Sequence, residues 1–180
     1  MRNFYPKNIP CAQHTESGVG LVEILIAVIL VSIGFLAAAK MQIEGMRFSQ
    51  SAYNQSQAYF LASDMLDRMR ANYKAVDNGL YDNIETSTSA TNPGCDTPSN
   101  FCTRAEIAEQ DLYDWSKQLH PLGSVTNFVP ALPGTALGRV TPVAGTAGLY
   151  IVHLEWTELI DDQETTEELN VNIVIQMNDN

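Results

Sequence analysis

An apolar run from Ser17 to Ala39 reads S-G-V-G-L-V-E-I-L-I-A-V-I-L-V-S-I-G-F-L-A-A-A and contains a single charge, Glu23. About twenty apolar residues make a helix of about 30 Å, the thickness of a bilayer's hydrocarbon. A carboxylate inside such a run costs about 2.5–3.5 kcal/mol at the bilayer centre and is a functional residue by default. Any fold for this chain has to account for Glu23 as well as for the span.

Three readings of residues 19–39 compete. The first is a secretory signal peptide, for which Ala37-Ala38-Ala39 supplies an A-x-A cleavage site. Against it stand Glu23 and a run longer than the usual ~7–15 apolar residues. The second is a plain single-pass anchor, which leaves Glu23 unexplained. The third is a cut after Gly18, which makes Val19 the N-terminus and Glu23 the fifth residue. Glu23 then lies in the first turns of the helix, where the macrodipole favours a negative charge by up to ~1 kcal/mol. The new α-amino group, with a pKa of about 7.7–8.0, is largely cationic at neutral pH. In a packed helical assembly the amine of one copy pairs with Glu23 of the next, and each buried charge has a partner. A lipoprotein reading of Cys11 fails because no hydrophobic segment precedes it.

The rest of the chain narrows the function. The whole chain has 180 residues with a formal net charge of −11. Phosphate backbones are bound mainly by Lys and Arg, so nucleic-acid binding is disfavoured. Cys95 and Cys102 are the two cysteines beyond the tail, and an even pair closing a short loop implies a disulfide and an oxidising compartment such as the periplasm. No metal is expected: His14, His120 and His153 are scattered without ligand spacing. The acidic group Asp161, Asp162, Glu164, Glu167 and Glu168 reads as a solvated hairpin connection, with calcium as the weaker alternative. There is no G-x-S-x-G, no H-E-x-x-H and no glycine-rich phosphate loop, so neither catalysis nor a cofactor is expected.

No proline interrupts residues 19–74, and one helix is expected from about Val19 to Tyr73. Tyr59, Ala62, Leu66, Met69 and Tyr73 mark its apolar stripe, with Asp64, Asp67, Arg68 and Arg70 off it. Residues 74–102 read as loop, rich in Gly, Asn, Ser and Thr. Thr103 and Glu106 form a capping box that opens a helix to about His120, stopped by Pro121, with Trp115 as a core anchor. A short strand is expected at 139–143. Alternation in 149–158 and 169–177 then gives two strands of an antiparallel hairpin within a sheet of three or four strands.

The segment S-G-V-G-L-V-E-I-L-I-A resembles the class III signal of type IV prepilins, in which a glycine precedes the cut and a glutamate sits fifth after it. Val19 and Gly20 depart from the commonest residues there, phenylalanine and threonine. The segments S-Q-A-Y-F-L-A-S-D-M-L-D-R-M-R-A-N and D-L-Y-D-W resemble the PilV family of minor pilins. The resemblance implies an α+β, type IV pilin-like fold, a long N-terminal helix packed on a small antiparallel sheet. It divides the chain into a leader (1–18), a transmembrane and assembly half-helix (19–39), an amphipathic half-helix (40–73) and a periplasmic head (74–180). It implies cleavage between Gly18 and Val19 by a prepilin peptidase, N-methylation of Val19, and an assembly role for Glu23. Asp64, Asp67, Arg68 and Arg70 read first as a solvated helix end that caps onto the head, and secondly as candidate subunit contacts.

The implied protein is a non-enzymatic minor pilin. It waits in the inner membrane with its N-terminus inside, at the pilus assembly platform. It then joins other minor pilins and the major pilin in a surface pilus, with a tip adhesin as a further expected partner. A minor pseudopilin of type II secretion is the near alternative. A periplasmic binding or enzymatic domain behind an ordinary signal peptide or anchor is the distant one.

Overall fold

Fifty-one residues of unbroken helix begin the described part of the chain: α1, Leu21–Ala71. The computed structural model describes residues 20–97, 101–123, 127–146, 148–160 and 163–174. After α1 come α2 (Tyr73–Asp77), β1 (Ile84–Glu85), α3 (Arg104–Leu119), β2 (Leu137–Pro142), β3 (Leu149–Ile160) and β4 (Gln163–Val174). The strands form one antiparallel sheet in the order β1-β2-β3-β4. The class is α+β, a long N-terminal helix with a four-stranded antiparallel sheet. The chain divides into two units, Met1–Glu44 and Gly45–Asn180, and α1 runs through the boundary.

Within the second unit, α1, α3 and the sheet share one core. From α1 it takes Ala58, Leu61, Ala62, Met65, Leu66 and Met69; from α3, Ala108, Trp115 and Leu119; from the sheet, Val140, Tyr150, Val152, Leu154 and Trp156. Each large apolar side chain so buried contributes about 1.5–3 kcal/mol. Of the expected stripe Ala62, Leu66 and Met69 are buried, whereas Tyr59 and Tyr73 are 57% and 40% exposed and Ala58, Leu61 and Met65 are buried instead. Stripes one residue apart fit the helical period about equally well. The small Ala58, fully buried, lies in the core where the large Tyr59 was expected.

Other differences have local causes. The helix expected to reach Tyr73 breaks after Ala71, and Asn72 opens α2 with its carbonyl accepting from Ala75 and Val76. The stretch expected as loop thus contains α2 and β1, whose Ile84 and Glu85 pair with Val140 and Arg139. The acidic segment after β3 is mostly strand: β4 begins at Gln163, and Glu164, Glu167 and Glu168 pair with Leu159, Trp156 and Glu155. Asp161, Asp162, Ile175 and Met177 lie outside the described residues.

The capping box at Thr103 forms as expected. Thr103 Oγ1 accepts from the Glu106 N–H at 3.3 Å, and Glu106 accepts from the Thr103 N–H at 2.7 Å. α3 ends at Leu119, before Pro121. Trp115 is fully buried over Gly138, where a Cβ would lie 2.6 Å from its Cη2. At the other end of the core Glu158 accepts from Asn54 Nδ2 at 2.9 Å and from Trp156 Nε1 at 2.7 Å, which satisfies a buried carboxylate.

Candidate assembly interface

The first turns of α1 place one carboxylate at the head of an apolar helix. Gly20 O accepts from the Glu23 N–H at 2.9 Å and from the Ile24 N–H at 3.3 Å. Glu23 therefore sits in the first turn, at the positive end of the helix dipole. Every residue from Gly20 to Gln50 is exposed. Leu21, Val22, Ile24, Leu25, Ile26 and Val28 surround Glu23, and the apolar surface continues through Phe35 and Leu36. An apolar patch much beyond a few hundred Å² marks a surface that meets lipid or another protein. The helix is long and apolar enough to cross a membrane. Gly18 and Val19, the expected cleavage and methylation positions, lie outside the described residues.

The expected contact residues near the end of α1 separate into two groups. Asp67 and Arg70 form an exposed pair at 2.7 Å. Arg68 lies further in. Its guanidinium reaches Asp64 at 3.0 Å on its own helix, and Asp111 at 3.2 Å and Asp114 at 3.3 Å on α3. Tyr81 donates to Asp111 at 2.5 Å, and the Asn72 amide donates to Tyr81 Oη and to the Arg104 carbonyl. This network fastens α3 and the segment after α2 to the end of α1. Sequence periodicity shows the Asp64–Arg68 pair, but not Tyr81, Asp111 or Asp114, which only tertiary packing brings in.

Burial sets the electrostatics of this network. It pushes the Asp111 carboxyl up, although the Tyr81 hydroxyl and Arg68 pull it the other way. Burial, followed by the Asp111 carboxylate, pushes the Tyr81 phenol well above its ordinary value. For Arg68, burial works against the charge, but Asp64 and Asp111 outweigh it and raise the pKa. Removing one member of a buried, hydrogen-bonded charge group costs more than the pair contributes, because its partner stays buried. Across the sheet Tyr150 is pushed up to about 12, by burial and by the Asp82 carboxylate that its hydroxyl contacts at 2.9 Å.

Cys95 and Cys102 are joined in a disulfide with Cα atoms 5.8 Å apart. The bridge ends beside Thr103, the N-cap of α3, and the Cys95 N–H donates to Gln110 Oε1 at 3.1 Å. It closes a small loop and ties the chain to α3, a constraint worth about 2–3 kcal/mol on the chain-entropy model.

Residues 40–113 carry the outer half of α1, the disulfide, and all of the Arg68–Tyr81–Asp111 network except Asp114. No curated protein and no solved structure matches the chain. Over residues 40–113 it does match the Tt1218-like family, described as type IV pilin Tt1218, and with the long helix and antiparallel sheet this match supports a type IV pilin subunit.

Proposed function

We propose that the chain is a minor pilin of the PilV kind. A prepilin peptidase cuts between Gly18 and Val19, and Val19 is N-methylated. The subunit waits in the inner membrane as a single-pass protein with its N-terminus inside, and then enters a surface pilus. It assembles with other minor pilins and the major pilin, and primes the fibre near its tip, where an adhesin is seated. Asp67 and Arg70, exposed near the end of α1, are offered as subunit contacts.

The observation that carries this reading is Glu23 in the first turn of α1, whose apolar stretch from Leu21 to Ala39 is exposed throughout. A lone carboxylate on that surface is tolerated in an apolar assembly when a cation meets it, and the α-amino group of a neighbouring subunit is such a cation. Methylation leaves its charge intact.

The mature N-terminus tests the proposal. Mass spectrometry of protein from sheared pili is expected to find methylated Val19. A start at Lys40 would mean cleavage at Ala37–Ala39 and would end the pilin account. Glu23→Ala is expected to leave the head folded and to cut recovery of the subunit in sheared pili by at least about tenfold, the loss of ~1.4 kcal/mol or more of assembly energy. Unchanged recovery removes the pairing role. Deletion of the chain is expected to deplete surface pili while type II secretion continues; the reverse outcome identifies a pseudopilin.

A further inference from the structure

On the face of β3 and β4 opposite the core, three metal-binding side chains come together. His153 and Glu155 are two residues apart on β3 and face the same way. Glu168 is the cross-strand partner of Glu155, and Asn170 is that of His153. One ligand atom from each of His153, Glu155 and Glu168 can be chosen so that all lie within 4.8 Å of one another. Four ligands around zinc at about 2.0–2.2 Å stand roughly 3.4 Å apart, so small side-chain rotations close the difference. The alternate residues of β3, Val152, Leu154 and Trp156, are buried in the core and hold the strand in place.

Two features point beyond a chance grouping. Glu155 and Glu168 are carboxylates set directly across an antiparallel pair, an arrangement that repels unless a cation is present. Arg139, the neighbour of His153 on β2, has its guanidinium at Glu85, 3.0 Å away. The second feature is the histidine's orientation. His153 Nδ1 is 2.7 Å from Asn170 Oδ1, a contact made by the tautomer in which Nδ1 donates to the amide oxygen. In the neutral ring Nε2 then presents its lone pair beside Glu155 Oε2, 3.7 Å away. Metal-ligating histidines are oriented in this manner by an acceptor on the other ring nitrogen.

We propose that His153, Glu155 and Glu168 bind a divalent transition-metal ion of the zinc class, through one imidazole and two carboxylates, with the fourth position open to water. Asn170 is the positioning residue. An imidazole beside carboxylates suits zinc better than calcium or magnesium, which prefer oxygen alone.

The test uses the full chain in detergent, stripped with a chelator and titrated with Zn²⁺ and with Co²⁺. One equivalent is expected to bind, with Co²⁺ giving the visible spectrum of a four-coordinate ion. His153→Ala is expected to abolish that binding, and Asn170→Ala to weaken it about 10–100-fold. The double variant Glu155→Gln/Glu168→Gln removes the carboxylates without touching the core, and is expected to lose the ion while keeping the circular dichroism of the parent. Absence of stoichiometric binding overturns the proposal. So does unchanged binding in His153→Ala or in the double variant, or a spectrum that follows His14 or His120 instead.

Discussion

His120 caps the C-terminus of α3, and its Nε2 is 3.0 Å from Thr86 Oγ1, which in turn accepts from the Gly138 N–H at 2.9 Å. With the hydroxyl oxygen accepting from Gly138, its proton is available to a neutral imidazole. Burial lowers the pKa of His120 below its ordinary value. A histidine depressed in the folded state binds protons more readily in the unfolded chain, so stability is present above the unfolded pKa of about 6.5 and lost as pH falls through the folded one. Urea midpoints are therefore expected to fall between pH 7.5 and 5.5, and His120→Gln to flatten that slope. An equal slope in the variant assigns the effect to other groups; Asp111, whose carboxyl is raised by burial, gives a slope of the opposite sign and is not one of them. None of these pairings is visible in the sequence, because Thr86, His120 and Gly138 belong to separate elements. The Asp64–Arg68 pair was legible only because helical spacing brings both residues together without tertiary structure.

Elements were legible where local chemistry is strong. The Thr103 capping box, Pro121 and the alternation of Tyr150, Val152, Leu154 and Trp156 name α3 and β3 without help from the rest of the chain. β4 was hidden in its first half because Q-E-T-T-E-E is polar on both faces, and its strand geometry comes from the ladder with β3. β1 is two residues long, too short to carry a period, and exists because β2 offers an edge. The contact between α3 and β2 was likewise invisible in sequence: Gly138 is there so that Trp115 can lie against the strand backbone. Gly138→Ala forces the indole or the strand to move and is expected to cost about 1–3 kcal/mol, read as a lowered urea midpoint at unchanged slope. A midpoint like that of the parent would mean the indole shifts without cost.

For the whole molecule, the order of a long helix followed by a sheet and the charged apolar run were both legible at the outset. Where the core begins was not. No residue from Gly20 to Gln50 is buried, and Asn54 is the first buried residue of α1. A fragment from Gly45 to Asn180 therefore keeps all the buried residues described for the core. It is expected to be soluble, to form the Cys95–Cys102 bridge and to melt in one cooperative transition. A fragment that expresses but shows no such transition would mean the apolar half contributes to folding. The long Lys74–Cys102 stretch was unreadable for the opposite reason: it is held by distant partners, Ser116 and Gln110 on α3 among them.

The hydrogen bond from Asn54 to Glu158 gives this arrangement a mechanical meaning. A helix backbone transmits tension along its axis, and α1 has no proline to interrupt it. A pull applied at the apolar end reaches the packed core first at Asn54, whose amide is tied to a carboxylate on β3. The same oxygen holds the indole of Trp156, so this bond also guards a large core side chain. One amide, one carboxylate and one indole thus meet where α1 enters the core, ahead of the charged network near the end of the helix.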